Sequence, residues 1–270
     1  MPEANGPETP RILVSCDASP LGTAALHAAV ALARRLDAEL AGVFVENVNL
    51  LRMAALPFAR EYALASAVGR RVEAGEIERT LRGQADAMRG ALSRAAHGLS
   101  LPWSFQVVRG ALLDSVLEAM RESDLAVFGY TGQYSVNADI SAGISLPLAK
   151  ATVLQQPILV LYDDTPAAGR ALAAANALAQ VHHTGLLVLT IAGDADAASR
   201  LRARAAAQLA RGPAGVRYQY LPSRDFQSIK KAVMANQAAA LLWHGIQTSG
   251  ERKALATLVD VLKCPVVLVL

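Results

Sequence analysis

The sequence predicts an α/β protein made of two tandem doubly wound domains, each a mostly parallel sheet with helices on both faces. Two observations carry that expectation. The first is an internal repeat: ILVSCDASPLGTAALHAAVALARRLDAELAGVFV, residues 12–45, aligns without a gap on ILVLYDDTPAAGRALAAANALAQVHHTGLLVLTI, residues 158–191. The second is a regular alternation of short β-prone apolar runs with longer alanine- and leucine-rich stretches of helical period. Alternation of that kind implies parallel strands covered on both sides.

Each copy of the repeat opens on a strand, ILVSC or ILVLY, followed by an acidic turn at Asp17 or Asp163 and then by Ser19-Pro20 or Thr165-Pro166. The hydroxyl suits a helix N-cap and the proline suits the first helical position. A helix and a second apolar strand follow. Further on, WSFQVVRG (103–110) reads as a strand, LLDSVLEAMRES as an amphipathic helix and DLAVFG (124–129) as a strand. VRYQYLP, FQSIKKAVMAN and AAALLWHG echo them in the second half, which closes on a strand at PVVLVL, 265–270. The expected boundaries are a polar, proline-punctuated and disordered tail over 1–10, a first domain over 11–156 and a shorter second domain over 157–270. The halves differ between their second and third strands. The first carries Asn47 to Leu101, in which NLLRMAALPFAREYALASAVGRRV is expected to form two packed helices or a lid over a ligand; the second has only Gly193 to Gly215.

Composition excludes several classes. With 53% hydrophobic and 18% charged residues the chain is too apolar for intrinsic disorder. Its longest uninterrupted apolar runs, such as Ala238 to Trp243 and Pro265 to Leu270, fall far short of the ~18–20 residues of a spanning helix. Residues 1–10 contain no apolar core of a secretory signal. A cytoplasmic protein with no membrane partner is therefore expected. Lys+Arg 26 against Asp+Glu 23 gives a net charge of +3, which does not call for a nucleic-acid partner. Arg200, Arg202, Arg204 and Arg211 lie among alanines and leucines without interleaved aromatics and read as a solvated helix face. Cys16 and Cys264 are far apart and lack CxxC spacing, which argues against a zinc site or a disulfide framework.

In open α/β sheets, ligands bind outside the carboxyl ends of the strands, where the strand order reverses. Asp17 falls there, as does the loop Gly129-Tyr130-Thr131-Gly132 that leads into QYSVNADISAGIS. Closely spaced glycines let backbone amides approach an anion, and a following helix N-terminus adds free N–H groups. Taken alone, a Gly-x2-Gly pair serves equally well as an ordinary turn.

With ILVSCDAS, ALHAAVALARRLDAEL and the glycine loop after DLAVFG in place, residues 11–270 resemble the universal stress protein family in tandem form. The resemblance implies an adenine nucleotide α-hydrolase-like fold and ATP or AMP as ligand. It also implies a site made of the first-strand aspartate, the end of the second strand and a Gly-x2-Gly-x9-Gly-Ser/Thr loop. Carried over, Asp17 would contact adenosine, Val45 falls at the adenine-contacting strand end, and Gly129 and Gly132 match the first two loop glycines. The spacing then departs, since Ala142 stands where the family has glycine. A loop one residue longer gives that role to Gly143 and leaves Ser145, one step beyond the family's hydroxyl, or Ser141 to meet phosphate. In the second half Asp163 survives, but the loop is reduced to Trp243-His244-Gly245-Ile246-Gln247 and its third position is lost. That half is expected to bind no nucleotide.

Enzymatic patterns are absent: the sequence has no HExxH, GxSxG or Walker A motif. Nor is Cys16-Asp17-Ala18-Ser19 the Ser-Gly-Gly-x-Asp-Ser loop of nucleotide-activating hydrolases and ligases of the related fold. Cys16 reads as a buried inert thiol and His27 as a packed helix residue. His182 and His183 are adjacent and point apart, which disfavours a shared metal ion. The resulting expectation is a stress-response regulator, not an enzyme, with an adenine nucleotide in its first domain only. The competing reading is a nucleotide-free scaffold acting through protein contacts. In the family each domain ends in a fifth strand that pairs with its partner's, yet the repeat assigns 157–162 to the second half. That leaves 265–270 as the sole strand of its type, an apolar edge expected to pair with its symmetry mate in a homodimer. The alternative is docking against the first half within one chain.

Overall fold

The computed structural model describes residues 10–17, 19–56, 60–62, 69–71, 74–120, 125–129, 156–209, 212–213, 215–246 and 248–270. Residues 1–9 of the expected tail over 1–10, and residues 130–155, lie outside them. In the first half the order is β1 (Arg11–Cys16), α1 (Pro20–Leu36), β2 (Glu39–Asn47), α2 (Val48–Ala54), β3 (Arg60–Tyr62), β4 (Gly69–Arg71), α3 (Ala74–His97), β5 (Trp103–Gly110), α4 (Leu112–Ala119) and β6 (Leu125–Gly129). The second half continues with β7 (Ile158–Tyr162), α5 (Pro166–Val181), β8 (Leu186–Ile191), α6 (Ala195–Gln208), β9 (Val216–Leu221), α7 (Phe226–Ala235), β10 (Ala240–His244), α8 (Ser249–Val261) and β11 (Val266–Val269).

The strands form one nine-stranded sheet in the order β5-β2-β1-β6-β11-β10-β7-β8-β9, while β3 and β4 pair separately as an antiparallel hairpin. Within the large sheet every ladder is parallel except β6 with β11. Each half runs third-second-first-fourth strand, so its order reverses between first and fourth. The fold is thus a doubly wound α/β architecture, with the turn after each first strand beside a switch point.

The repeat extends into the hydrogen bonds that start and stop its helices. Ser19 caps α1 and Thr165 caps α5, each followed by proline at the first helical position and each accepting from a backbone N–H three residues on. Both helices then end through a left-handed residue at matched places, Asp37 and His183, each at φ 51. The amide of the next residue closes back across the last turn, Ala38 to the Ala33 carbonyl at 2.9 Å and Thr184 to the Ala179 carbonyl at 3.0 Å. Such a terminus satisfies helix-end carbonyls and turns the chain into the next strand.

Two cores sandwich the sheet. One packs Leu26, Leu32, Met88, Leu92, Leu172 and Leu178 of α1, α3 and α5 against alternate strand residues such as Ile12, Val127 and Val160. The other packs Val116, Ile229 and Leu258 of α4, α7 and α8 against Leu13, Phe128, Leu161 and Leu241. Because β6, β7, β10 and β11 are covered on both faces, they are apolar rather than alternating, apart from His244 at the end of β10.

Two expectations are corrected. The C-terminal strand is not an edge: Val266–Val269 of β11 pairs antiparallel with Phe128–Leu125 of β6 and parallel with Leu241–His244 of β10. Its backbone is spoken for on both sides within the chain, so it leaves no ladder for a homodimer through 265–270, and the edges of the sheet are β5 and β9. Nor does the stretch 49–72 of the first-half insert form two packed helices: of the described residues there, it supplies most of α2 and the β3–β4 hairpin, and α3 begins only after it. The insert as a whole holds the seven-residue α2, the β3–β4 hairpin and the 24-residue α3. Pro57 falls just after α2, where a proline ring does not continue a helix. Among the described residues no helix is long and apolar enough to cross a membrane.

Candidate functional site

The first switch point lies at the carboxyl ends of β1 and β6. Asp17 leaves β1 with its amide donating to the Gly129 carbonyl at 3.2 Å. Its Oδ1 accepts from the Ser19 amide at 3.1 Å and from the Ser19 hydroxyl. The serine oxygen in turn accepts from the Gly22 amide at 3.0 Å, so carboxylate, cap and helix start form one unit. α1 sits very close to the strand ends. A Cβ on Gly22 would lie 1.9 Å from the Asp17 carbonyl oxygen, and one on Gly129 would lie 2.4 Å from Ala25 Cβ. Close approach, rather than an unusual φ, is what these glycines permit.

The neighbouring strands splay at this edge. Pairing of β1 with β2 ends at Val14–Gly42, although β2 runs on to Asn47 beside β5. Val45 therefore stands on the part of β2 beyond the β1 ladder. Its side chain is buried in the core with Leu113 and Val116, which leaves its backbone as the part that could meet a ligand. Cys16, beside Asp17, is buried; burial first, and the Asp17 charge second, push its thiol up to about 12. It stays protonated and inert, as the sequence suggests. Of the loop residues, Gly129 closes β6, while Gly132, Gly143 and Ser145, with Ser141 and Ala142, lie outside the described residues.

The second switch point repeats the turn and then departs from the first. Asp163 Oδ1 accepts from the Thr165 amide at 3.2 Å and the Thr165 hydroxyl at 2.7 Å. Here, however, the β7–β8 ladder continues to Tyr162–Thr190, the counterparts of Cys16 and Phe44. Counting two residues on from the Val160–Leu242 pair puts His244 level with Tyr162, the place that Gly129 holds beside Cys16. The His244 imidazole is 2% exposed, with Nε2 3.5 Å from Asp163 Oδ1. Burial pushes its pKa down to about 4, opposed by Asp163 and Glu251 and reinforced by Arg224.

Arg224, in the turn between β9 and α7, reaches across this edge. Its Nη2 donates to the carbonyls of His244 and, at 3.2 Å, Gly245. Its Nη1 lies 3.6 Å from Glu251 Oε1 and 4.0 Å from Asp163 Oδ2. The guanidinium carbon stands 4.6 Å from the centre of the Trp243 ring. In the first half the matching turn is Gly110–Ala111, with no long side chain. The reduced loop of this half has two bulky residues, Trp243 and Gln247, that could close the edge. Trp243 is instead fully buried in the core, Gln247 lies outside the described residues, and Arg224 is the group in place. The signal that could have found it is an arginine in one copy where the other has a Gly-Ala turn.

The remaining sequence candidates stay apart from both edges. His27 is partly buried on α1, with its pKa lowered by burial, and His182 stands at the end of α5. Among the described residues no group of three or more His, Cys, Asp or Glu could hold a metal ion. Arg200, Arg202 and Arg204 are exposed on α6, as a solvated face should be, and Arg211 lies outside the described residues. Two of them have partners from other elements: Arg204 pairs with Asp164, and Arg202 stacks 5.2 Å over Tyr218.

No family model and no curated protein matches the sequence. Solved structures do. A universal stress protein from Archaeoglobus fulgidus DSM 4304 matches with a TM-score of 0.52 at 13% identity, over 96% of this chain and 95% of its own. A putative universal stress protein from Pseudomonas aeruginosa UCBPP-PA14 covers 96% of this chain and 92% of its own at 10% identity and a TM-score of 0.45. A member of the universal stress protein family from Burkholderia pseudomallei covers 44% of this chain and 98% of its own at 19% identity and a TM-score of 0.34. At such identities the likeness is one of architecture, and on the near full-length match to the Archaeoglobus protein the fold of this chain is that of the universal stress proteins.

Proposed function

We propose that the chain is a tandem universal stress protein, with halves over 11–156 and 157–270. It holds an adenine nucleotide, ATP or AMP, at the carboxyl edge of the first half only, and acts in the cytoplasm as a stress-response regulator rather than an enzyme. The observation that carries this reading is the contrast between the two edges. Beside Asp17 the strands separate after Val14–Gly42 and the neighbouring strand contributes Gly129, whereas beside Asp163 the same space receives His244 and Arg224. In this reading Asp17 meets the adenosine, the Val45 backbone meets the base, and Gly129, Gly132, Gly143 and Ser145 line the phosphates. Titration calorimetry with ATP tests it. Asp17→Ala should weaken binding by about 1–3 kcal/mol, the scale of a lost hydrogen bond to a charged group, and Asp163→Ala should leave affinity unchanged. Equal losses from both variants would overturn the asymmetric assignment.

One observation favours a nucleotide-free scaffold instead. Gly129 already has a packing role under Ala25, so its presence does not require a phosphate. Denaturing the protein as purified from cells and weighing any released nucleotide by mass spectrometry separates the two readings: a stoichiometric adenine nucleotide supports the first, and its absence together with no calorimetric signal supports the second.

A further inference from the structure

Among the described residues, the groups gathered around the two Arg224 Nη atoms are acceptors and an aromatic face, while its buried Nε has no hydrogen-bond partner. The carbonyls of His244 and Gly245 accept from Nη2, and the carboxylates of Glu251 and Asp163 stand at 3.6 and 4.0 Å from Nη1. The Trp243 ring lies beneath at 4.6 Å. That ring is fully buried and fixed by its own Nε1 donating to the Gly245 carbonyl at 3.1 Å. Gly245 itself, at φ 60, turns the chain so that successive carbonyls serve one cation. Glu251 is held as well, since its Oε2 accepts from the Thr248 amide at 3.0 Å in the capping box of α8. The His244 imidazole, 98% buried by its 2% exposure, aims an Nε2 without a hydrogen-bond partner toward Asp163. A planar, delocalised cation with a fork of donors suits an aromatic wall, two carbonyls in hydrogen-bond reach and two carboxylates just beyond it, and it lies flat on the ring as a compact ammonium does not.

We propose that the carboxyl edge of the second half is a guanidinium-recognition site, occupied from within the chain by Arg224. The side chain is 14% exposed and acts as an internal ligand. Emptied of it, the edge would present two carboxylates and two carbonyls, a surface that repels phosphate and takes a planar cation. The inference stands apart from the nucleotide reading of the first half, because it concerns other residues and a ligand of opposite charge.

Chemical rescue tests it on the full chain. Arg224→Ala should melt roughly 4–8 °C below the wild type, the scale of a lost charge-assisted hydrogen bond in a chain of this size. Ethylguanidinium, which replaces the atoms removed, should restore most of that loss at low millimolar concentration. It should leave the wild type unmoved, and ethylammonium should not substitute for it. Adding Glu251→Gln should weaken the rescue about tenfold, a loss of about 1.4 kcal/mol. Arg224→Lys, which keeps the charge without the planar fork, should melt lower than the wild type and provides a reading if the alanine variant fails to fold. Equal stability of the lysine variant and the wild type would overturn the proposal, as would rescue by ethylammonium at the same concentration. So would ATP stabilising Arg224→Ala more than it stabilises the wild type.

Discussion

The carboxyl edges of the two halves begin alike and end differently. Asp17 and Asp163 each accept from an amide two residues on, at 3.1 and 3.2 Å, and the hydroxyl between caps the next helix at 3.0 and 3.2 Å. They part where other strands arrive. The first edge has Gly22 and Gly129, which let α1 settle onto the strand ends; the second has Ala168 and His244, with Arg224 reaching in from the β9–α7 turn. A repeat can therefore keep the hydrogen bonds that build a turn while its chemistry diverges through residues contributed from elsewhere. A shared aspartate does not make a shared site.

The largest expected effect separates the halves by pH. His244 has a folded pKa of about 4 against 6.5 unfolded, and the first half has an untitratable glycine in its place. The unfolded chain takes up the proton first, so the contribution is fully present above about pH 6.5 and is lost as pH falls toward 4. At about 1.4 kcal/mol per unit this amounts to roughly 3 kcal/mol. His27 and His182 are also shifted down by burial and act in the same direction, so the measurement is a difference. Urea unfolding of the wild type and His244→Gln between pH 7 and pH 4 should show a flatter profile in the variant. Parallel profiles would remove His244 from the distinction between the edges.

Steric substitutions come next. Gly22→Ala and Gly129→Ala place a methyl against backbone or a packed methyl and should each cost about 2–3 kcal/mol, the upper range for overpacking. The reverse change in the second half, Ala168→Gly, adds no clash and should cost about 1–2 kcal/mol through helix propensity and the loss of one methyl buried in the core. Similar losses at Gly22 and Ala168 in denaturant melts would mean that the first helix does not depend on close approach.

Much of this architecture was legible because it is local. Strands and helix starts came from short-range pattern, and the two caps that the repeat predicts, Ser19 and Thr165, are both formed. The place of β11 was not legible. LAVFG and VVLV are apolar on both faces, so their composition marks them as buried but carries nothing about which partner or direction each takes. The same limit hid Arg224, which reads as a polar turn residue until the β9–α7 connection brings it over Trp243. The β3–β4 hairpin, three residues per strand, is too short to show a period. Asp17 and Gly129 stand together at the first switch point as expected, joined by the Asp17 amide and the Gly129 carbonyl.

The smallest effect is predicted to be the same in both halves, which makes it the control for the others. Ser19 and Thr165 occupy identical places in the repeat, each accepting from a helical amide and donating to the preceding aspartate. The cap interaction satisfies one of the N–H groups that a helix start leaves open and does not depend on what faces the turn. Ser19→Ala and Thr165→Ala should therefore each lower stability by about 1 kcal/mol, despite the different edges they support. Equilibrium unfolding of the two variants at pH 7, with no nucleotide added, provides the comparison. If Thr165→Ala costs two or three times as much as Ser19→Ala, the Asp163 carboxylate freed by the change is also losing its hold on His244 and Arg224. The divergence between the halves would then begin at the turn itself rather than at the residues that reach it.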